Sequence, residues 1–215
     1  YVSIRNADAF RILLRAILIS GILPIAFGLY QYAMGIGLTD ENVSIPRIFG
    51  TFSHPNVYSL YLFALVVFSA LHLIAYAKDR REKTLTLLFL MLSTGMLVLT
   101  FARVAWVALA AFVFLLALMR YRFLLLPLMF VPAVLLSFSP AFQSRVEESL
   151  HPNPDSSIVW RQNLWHDVTG YAHQKDLTLF GSGLDTFPRL SESLRGTALG
   201  PNEPHNDFVK FFVEG

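Results

Sequence analysis

Long stretches without charge constrain this chain more than anything else in it. Residues 16–38 contain no Asp, Glu, Lys or Arg. Crossing the ~30 Å hydrocarbon core of a bilayer takes roughly 20 mostly apolar residues in a helix. In lipid, a helix also satisfies its backbone polar groups internally. A second such stretch, residues 57–77, ends in the compact basic cluster Lys78-Asp79-Arg80-Arg81-Glu82-Lys83. Residues 84–119 carry a single charge, Arg103. At ~1.5 Å per residue, one helix of that length would be on the order of 50 Å long, far more than a bilayer needs. Two spans, 84–100 and 104–119, with a tight turn near Thr100 to Arg103, fit better. A fifth span, 123–138, contains Pro127 and Pro132, which are expected to bend it. The expected fold class is all-α, a polytopic transmembrane helix bundle. Composition agrees, because only 15% of residues are charged and 54% are hydrophobic, against about a quarter charged in a soluble domain.

Basic residues set the orientation, since Lys and Arg favour the cytoplasmic side. Residues 1–15 form a basic amphipathic lead-in with Arg5, Arg11 and Arg15. Placing it in the cytoplasm brings Lys78 to Lys83 and the pair Arg120 and Arg122 to the same side, provided that residues 84–119 cross twice. The opposite face then receives Arg47, Arg103 and residues 139–204, one large, partly helical extracytoplasmic loop. Residues 205–215 begin the next transmembrane helix. The chain reads as a fragment of one larger membrane domain, and no cleavable targeting signal is visible.

Inside the loop, Asp155-Ser156-Ser157 is a plausible helix start, and Trp160, Leu164, Val168 and Tyr171 recur at helical spacing. Gly170 can end that helix. Gly181-Ser182-Gly183 reads as a turn, followed by Phe187-Pro188.

The formal net charge of +2 argues against a nucleic-acid partner, and the absence of cysteine excludes disulfides, thiolate catalysis and zinc–cysteine sites. His166 and His173 have no usual zinc spacing, and there is no HExxH, no Asp-x-Asp and no recognisable glycosidase carboxylate pair. Gly181-Ser182-Gly183 is not a dinucleotide fingerprint. No metal and no cofactor are expected.

Five polar positions stand out. Arg103 lies between two apolar runs, where a guanidinium faces a partner or a cavity, or else snorkels to the headgroups from a turn. Arg47 opens Arg47-Ile48-Phe49-Gly50-Thr51-Phe52-Ser53-His54-Pro55-Asn56, either as a turn residue or as an anion ligand, with Asn56 expected to cap the next helix. Arg161 could stack on Trp165 or clamp an anion through its planar fork. His205 precedes Asn206 and Asp207, and there either exchanges a proton or sits beside a helix cap.

Together these segments resemble the O-antigen ligase and polymerase superfamily of bacterial envelope proteins. RIFGTFSHPN is similar to its R-x-x-GTF-x-x-PN element, and TFARVAW to its SR-x-A-W junction, with Phe101-Ala102 where many relatives have Ser before Arg. SIVWRQNLW followed by LFGSGLDTFP resembles its Arg, Trp, G-x-G-x-x-x-F pattern, and PHNDFVKFFVEG its HN…E-x-G signature. The resemblance implies a glycosyltransferase of the bacterial inner membrane, multi-pass, with its active face periplasmic. Its donor would be an undecaprenyl-diphosphate-linked glycan and its acceptor a hydroxyl, such as that of lipid A-core, reached among membrane lipids. His205 would be catalytic; Arg161, Arg103 and Arg47 would bind the diphosphate; Asn206, Asp207 and Asn56 would support them. Transfer would be inverting and metal-independent, since diphosphate is a good leaving group that arginines can neutralise. A polysaccharide polymerase, a protein O-oligosaccharyltransferase and, in a different class, a small-anion or lipid-linked-sugar transporter are the alternatives.

Overall fold

A computed structural model describes residues 7–40, 43–151, 157–175, 177, 181–195 and 206–215. Among the described residues the fold is all-α apart from one small hairpin, and the chain forms two compact units, residues 1–146 and 147–215.

The first unit begins with α1 (Ala7–Ser20) and α2 (Ile22–Met34), which together make one apolar helical run from Asp8 to Met34. The basic lead-in and the first apolar stretch are therefore one continuous run, with Arg11 and Arg15 inside α1. After α2 the chain enters an antiparallel hairpin, β1 (Leu38–Asp40) and β2 (Val43–Arg47), paired Leu38 to Arg47 and Asp40 to Val43. Next comes α3 (Pro55–Leu71), extended by a wider π-helical turn, His72–Tyr76. His54 caps α3, its Nδ1 accepting from the Asn56 backbone N–H at 3.1 Å, with Pro55 in the first turn. Asn56 was expected to be the cap. Pro55 takes the first helical position, where its missing N–H needs no acceptor, so the cap falls on the residue before it, two residues upstream of Asn56.

A pair of apolar helices follows, α4 (Arg80–Leu99) and α5 (Arg103–Met119), separated by the turn Thr100–Ala102. A short 3-10 turn, Arg122–Leu124, leads to α6 (Leu125–Phe138), which runs continuously through Pro127 and Pro132. The sharp bend, 103°, comes instead at Ser139, before α7 (Pro140–Leu150). Pro140 disfavours helical backbone in the residue before it, and Ser139 is accordingly extended at φ −115°, ψ 102°. Residues 140–146, expected at the start of the loop, thus fold with this unit.

By length and composition, three helical runs are able to cross a membrane among the described residues: Asp8–Met34, Pro55–Tyr76 and Arg80–Leu99. Ile25, Tyr58, Leu62, Leu65, Met96 and Leu97 pack into their shared core. Outward-facing residues stay apolar, with Val104, Val107 and Leu126 each at least 70% exposed. So large an apolar exterior suits lipid.

The second unit holds α8 (Ser157–Gln174), α9 (Phe187–Arg195) and α10 (Asp207–Glu214). Leu164, Val168 and Ala172, at successive i+4 positions on α8, are buried against Phe187 and Val213. Gly170 does not end α8, which continues to Gln174. Burial of Ala172 in that core outweighs the roughly 1 kcal/mol by which glycine disfavours a helix interior. The proposed start at Asp155 and Ser156 lies outside the described residues.

Candidate active site

In the first unit, the segment from Arg47 to Asn56 is a built turn. Gly50 has φ +57°, and a Cβ there would lie 2.8 Å from the Tyr58 ring. Gln31, 2% exposed in the last turn of α2, accepts from the Phe49 and Gly50 N–H groups (3.0 and 2.8 Å) and donates to the Gly50 carbonyl (3.2 Å). The Tyr58 hydroxyl donates to the Pro24 carbonyl at 3.0 Å. The buried Gln31 amide therefore grips this turn, its desolvation compensated only while the turn keeps its shape, and the Tyr58 ring packs beneath Gly50.

Arg47 ties that turn to another. Its side chain is largely buried; Nε donates to the Thr100 carbonyl at 2.9 Å, and Nη2 donates to Asn56 Oδ1 at 2.9 Å. Both ends of the Arg47–Asn56 segment and the distant Thr100 turn thus meet on one guanidinium. Thr100 folds back on α4, donating to the Leu97 carbonyl at 2.7 Å, and its Oγ1 accepts from the Ala102 N–H at 3.3 Å. Phe101 is held at φ +52°, a conformation that costs a non-glycine residue ~1–2 kcal/mol. Its ring meets Trp106 edge-on at 6.1 Å. This strained turn delivers Arg103, half-buried, to the first position of α5, where Ala102 supplies no side-chain cap. A helix start that lacks such a cap favours an anion, and the guanidinium reinforces it.

One turn along α5, Trp106 donates its indole N–H to the Val98 carbonyl (3.3 Å) and stacks on Phe142 of α7 (4.5 Å). Both rings line an apolar cavity of about 330 Å³ together with Val98, Leu109, Leu128 and Leu135. A cation and an apolar slot therefore lie within one helical turn of each other.

In the second unit, Arg161 is half-buried on the first half of α8. The Gly181–Gly183 turn is locked to the end of α10. Ser182 donates its N–H and its hydroxyl to the Val213 carbonyl (2.7 and 2.9 Å), and the Gly183 N–H reaches the Glu214 carbonyl at 3.1 Å. Gly181 has φ +60°, and a Cβ on it would fall 2.2 Å from the Gly215 nitrogen. Glu214, 6% exposed, accepts from the Phe187 N–H at 3.1 Å and so caps α9. Asn206 caps α10, accepting from Phe208 and Val209, while Asp207 is exposed in its first turn. His205 lies outside the described residues.

Of the residues singled out from sequence, Arg47 and Asn56 are directly bonded, and Arg103 stands on the turn that Arg47 holds. Arg161, Asn206 and Asp207 belong to the second unit. Gln31, Tyr58, Trp106 and Glu214 were not foreseen. Gln31 carried a signal of its own, an amide inside an uncharged span, which in lipid needs a buried partner, and Trp106 and Glu214 stand in the TFARVAW and VEG motifs.

The family model described as O-antigen ligase matches residues 86–215. No curated protein matches the chain. No solved structure matches it either.

Proposed function

The chain belongs to the O-antigen ligase family, and we propose that it moves a glycan from undecaprenyl diphosphate to a hydroxyl acceptor such as lipid A-core. The reaction takes place on the periplasmic side of the bacterial inner membrane. The five spans of residues 16–138 seat the donor, residues 139–204 form the loop over its sugar end, and residues 205–215 lead into the next helix.

The observation that carries this reading is that Arg103 stands at the start of α5, one helical turn before Trp106, whose ring lines the apolar cavity. A polyprenyl diphosphate needs both parts, a cationic seat for its head and an apolar slot for its tail. Arg103 and Arg161 take the diphosphate oxygens as planar forks. Arg47 serves chiefly by holding the turn under Arg103, with Asn56 as its second anchor. Asn206 and Asp207 shape the start of α10 next to His205.

In the reaction, the acceptor oxygen bonds to the anomeric carbon while the bond from that carbon to the diphosphate oxygen breaks. The electron pair leaves with undecaprenyl diphosphate, whose charge the arginines neutralise. The hydroxyl proton passes to His205, and a single displacement inverts the anomeric centre.

The test uses purified protein, undecaprenyl-diphosphate-linked glycan and lipid A-core in the presence of EDTA. Transfer is expected to proceed, and Arg103→Gln and Arg161→Gln are each expected to slow it roughly 10²-fold or more. His205→Ala is expected to slow it by about 10²–10⁴. Wild-type turnover in His205→Ala would sink the mechanism. Glycan that lengthens on the carrier, leaving lipid A-core unmodified, would identify a polymerase instead.

A further inference from the structure

At the opposite end of α4 from the Thr100 turn, ~30 Å away along a helix of this length, the first unit carries a second amphipathic site. Glu82 organises it. Its carboxylate accepts from Arg11 at 2.5 Å and from Arg15 at 2.6 Å, and also from the Lys78 backbone N–H at 3.0 Å. Behind it lies His72, 1% exposed, with Nε2 3.2 Å from Glu82 Oε1 and Nδ1 3.2 Å from Thr86 Oγ1. The other nearby carboxylate, Asp79, caps α4, accepting from the Glu82 N–H at 2.7 Å.

Two guanidiniums on one carboxylate leave an excess of positive charge. Lys78, Arg80, Arg81 and Lys83 add to it, all exposed. Arg15 itself keeps 47% of its side chain exposed. Arg15 and Arg81 border an open groove of about 430 Å³, with Asp79, Glu82, His72 and Thr86 at the same polar end and an apolar wall formed by Leu18, Ile19, Ile22, Leu85 and Phe89. Ile22 and Leu85 are each more than half exposed, as expected of side chains that face hydrocarbon. The groove thus pairs cations at one end with an acyl-sized apolar wall along α1, α2 and α4. A free anion would leave that wall unused, and a neutral lipid would leave the surplus positive charge of Lys78, Arg80, Arg81 and Lys83 unanswered.

We infer that this groove binds an anionic phospholipid, with its phosphate diester between Arg15 and Arg81 and an acyl chain along Leu18, Ile22, Leu85 and Phe89. Basic clusters next to a membrane span attract acidic headgroups, and the apolar wall turns that diffuse attraction into a seat. The bound lipid fastens the α1–α2 run to α4 on the side of the bilayer away from Arg103. The site takes no part in the proposed glycan transfer and stands whether or not that reading holds.

Lipid retention on the full-length protein, measured by native mass spectrometry from detergent, tests the inference. Phosphatidylglycerol is expected to stay bound where phosphatidylcholine does not, and inorganic phosphate is expected not to displace it. Arg81→Gln is expected to weaken phosphatidylglycerol retention roughly five-fold, and Arg81→Lys to restore most of it. Ile22→Trp, which fills the groove and leaves every charge in place, is expected to expel the lipid while the protein melts as wild type. Equal retention of the two lipids overturns the inference. So does displacement by inorganic phosphate, which would mark a site for free anions, and so does unchanged retention in both Arg81→Gln and Ile22→Trp.

Discussion

Replacing Arg47 with Met tests how the Arg103 turn is held. Met keeps the length and apolar stem of the side chain but deletes the hydrogen bonds to the Thr100 carbonyl and to Asn56 Oδ1. A hydrogen bond to a charged group contributes ~1.5–3 kcal/mol when its partner would otherwise be stranded. These two bonds contribute up to ~6 kcal/mol, and relief of the desolvation cost of burying a guanidinium offsets part of it. The expected net loss is about 3 kcal/mol. For a protein of this size ~1 kcal/mol moves Tm by about 2–4 °C, so the variant should melt ~6–12 °C lower. Transfer should fall as well, since misplacing a binding group by ~1 Å can cost about 10²-fold. The assay is thermal unfolding in detergent combined with a double-mutant cycle against Asn56→Ala, where ~1–2 kcal/mol of coupling is expected. A Tm within ~2 °C of wild type would refute the argument. Lost transfer with unchanged Tm and no coupling to Asn56 would instead make Arg47 a direct substrate ligand.

Gly181→Ala should destabilise the second unit by about 2–4 kcal/mol through left-handed strain and two threatened backbone bonds. The readout is faster hydrogen exchange at the Ser182 and Gly183 amides, and unchanged protection would count against the packing described. Gly50→Ala should lower Tm, because the Tyr58 ring it would meet is pinned by its bond to Pro24. Gly95→Ala should raise stability by ~0.5–1 kcal/mol, since it lies inside α4 with nothing within 4 Å of its Cβ position. Equal thermal shifts for these two variants would contradict the assignment of Gly50 to a required turn.

Helices were legible where one physical constraint acts alone. Residues 84–119 are too long for one span, and α4 and α5 do separate at Thr100–Ala102. The stripe through Leu164 and Val168 likewise follows from periodicity. Where two local signals competed, the reading failed. Asn56 is the better cap by residue preference, yet Pro55 hands the role to His54. Gly170 is a reasonable stop signal, yet Ala172 is worth burying. Contacts across long sequence separations were not legible at all. Nothing local to Glu214 reveals that it caps a helix beginning at Phe187, or that Gly181 must clear the backbone at Gly215.

The same contacts bear on what the family resemblance means. Much of each motif is occupied with construction: Arg47 and Gly50 hold one turn, and Gly181, Ser182 and Glu214 hold another. Asn206 caps the helix behind His205. A motif match at those positions therefore reports that the turns are built alike, and says little about the sugar or the acceptor. The chemistry in the proposed mechanism falls on other residues, Arg103, Arg161 and His205. The two groups separate by experiment. Substitutions in the first should lower Tm and transfer together, whereas Arg103→Gln, Arg161→Gln and His205→Ala should lower transfer at an unchanged Tm. An arginine or histidine that fell with the first group would be part of the scaffold, and its assignment to the reaction would have to be withdrawn.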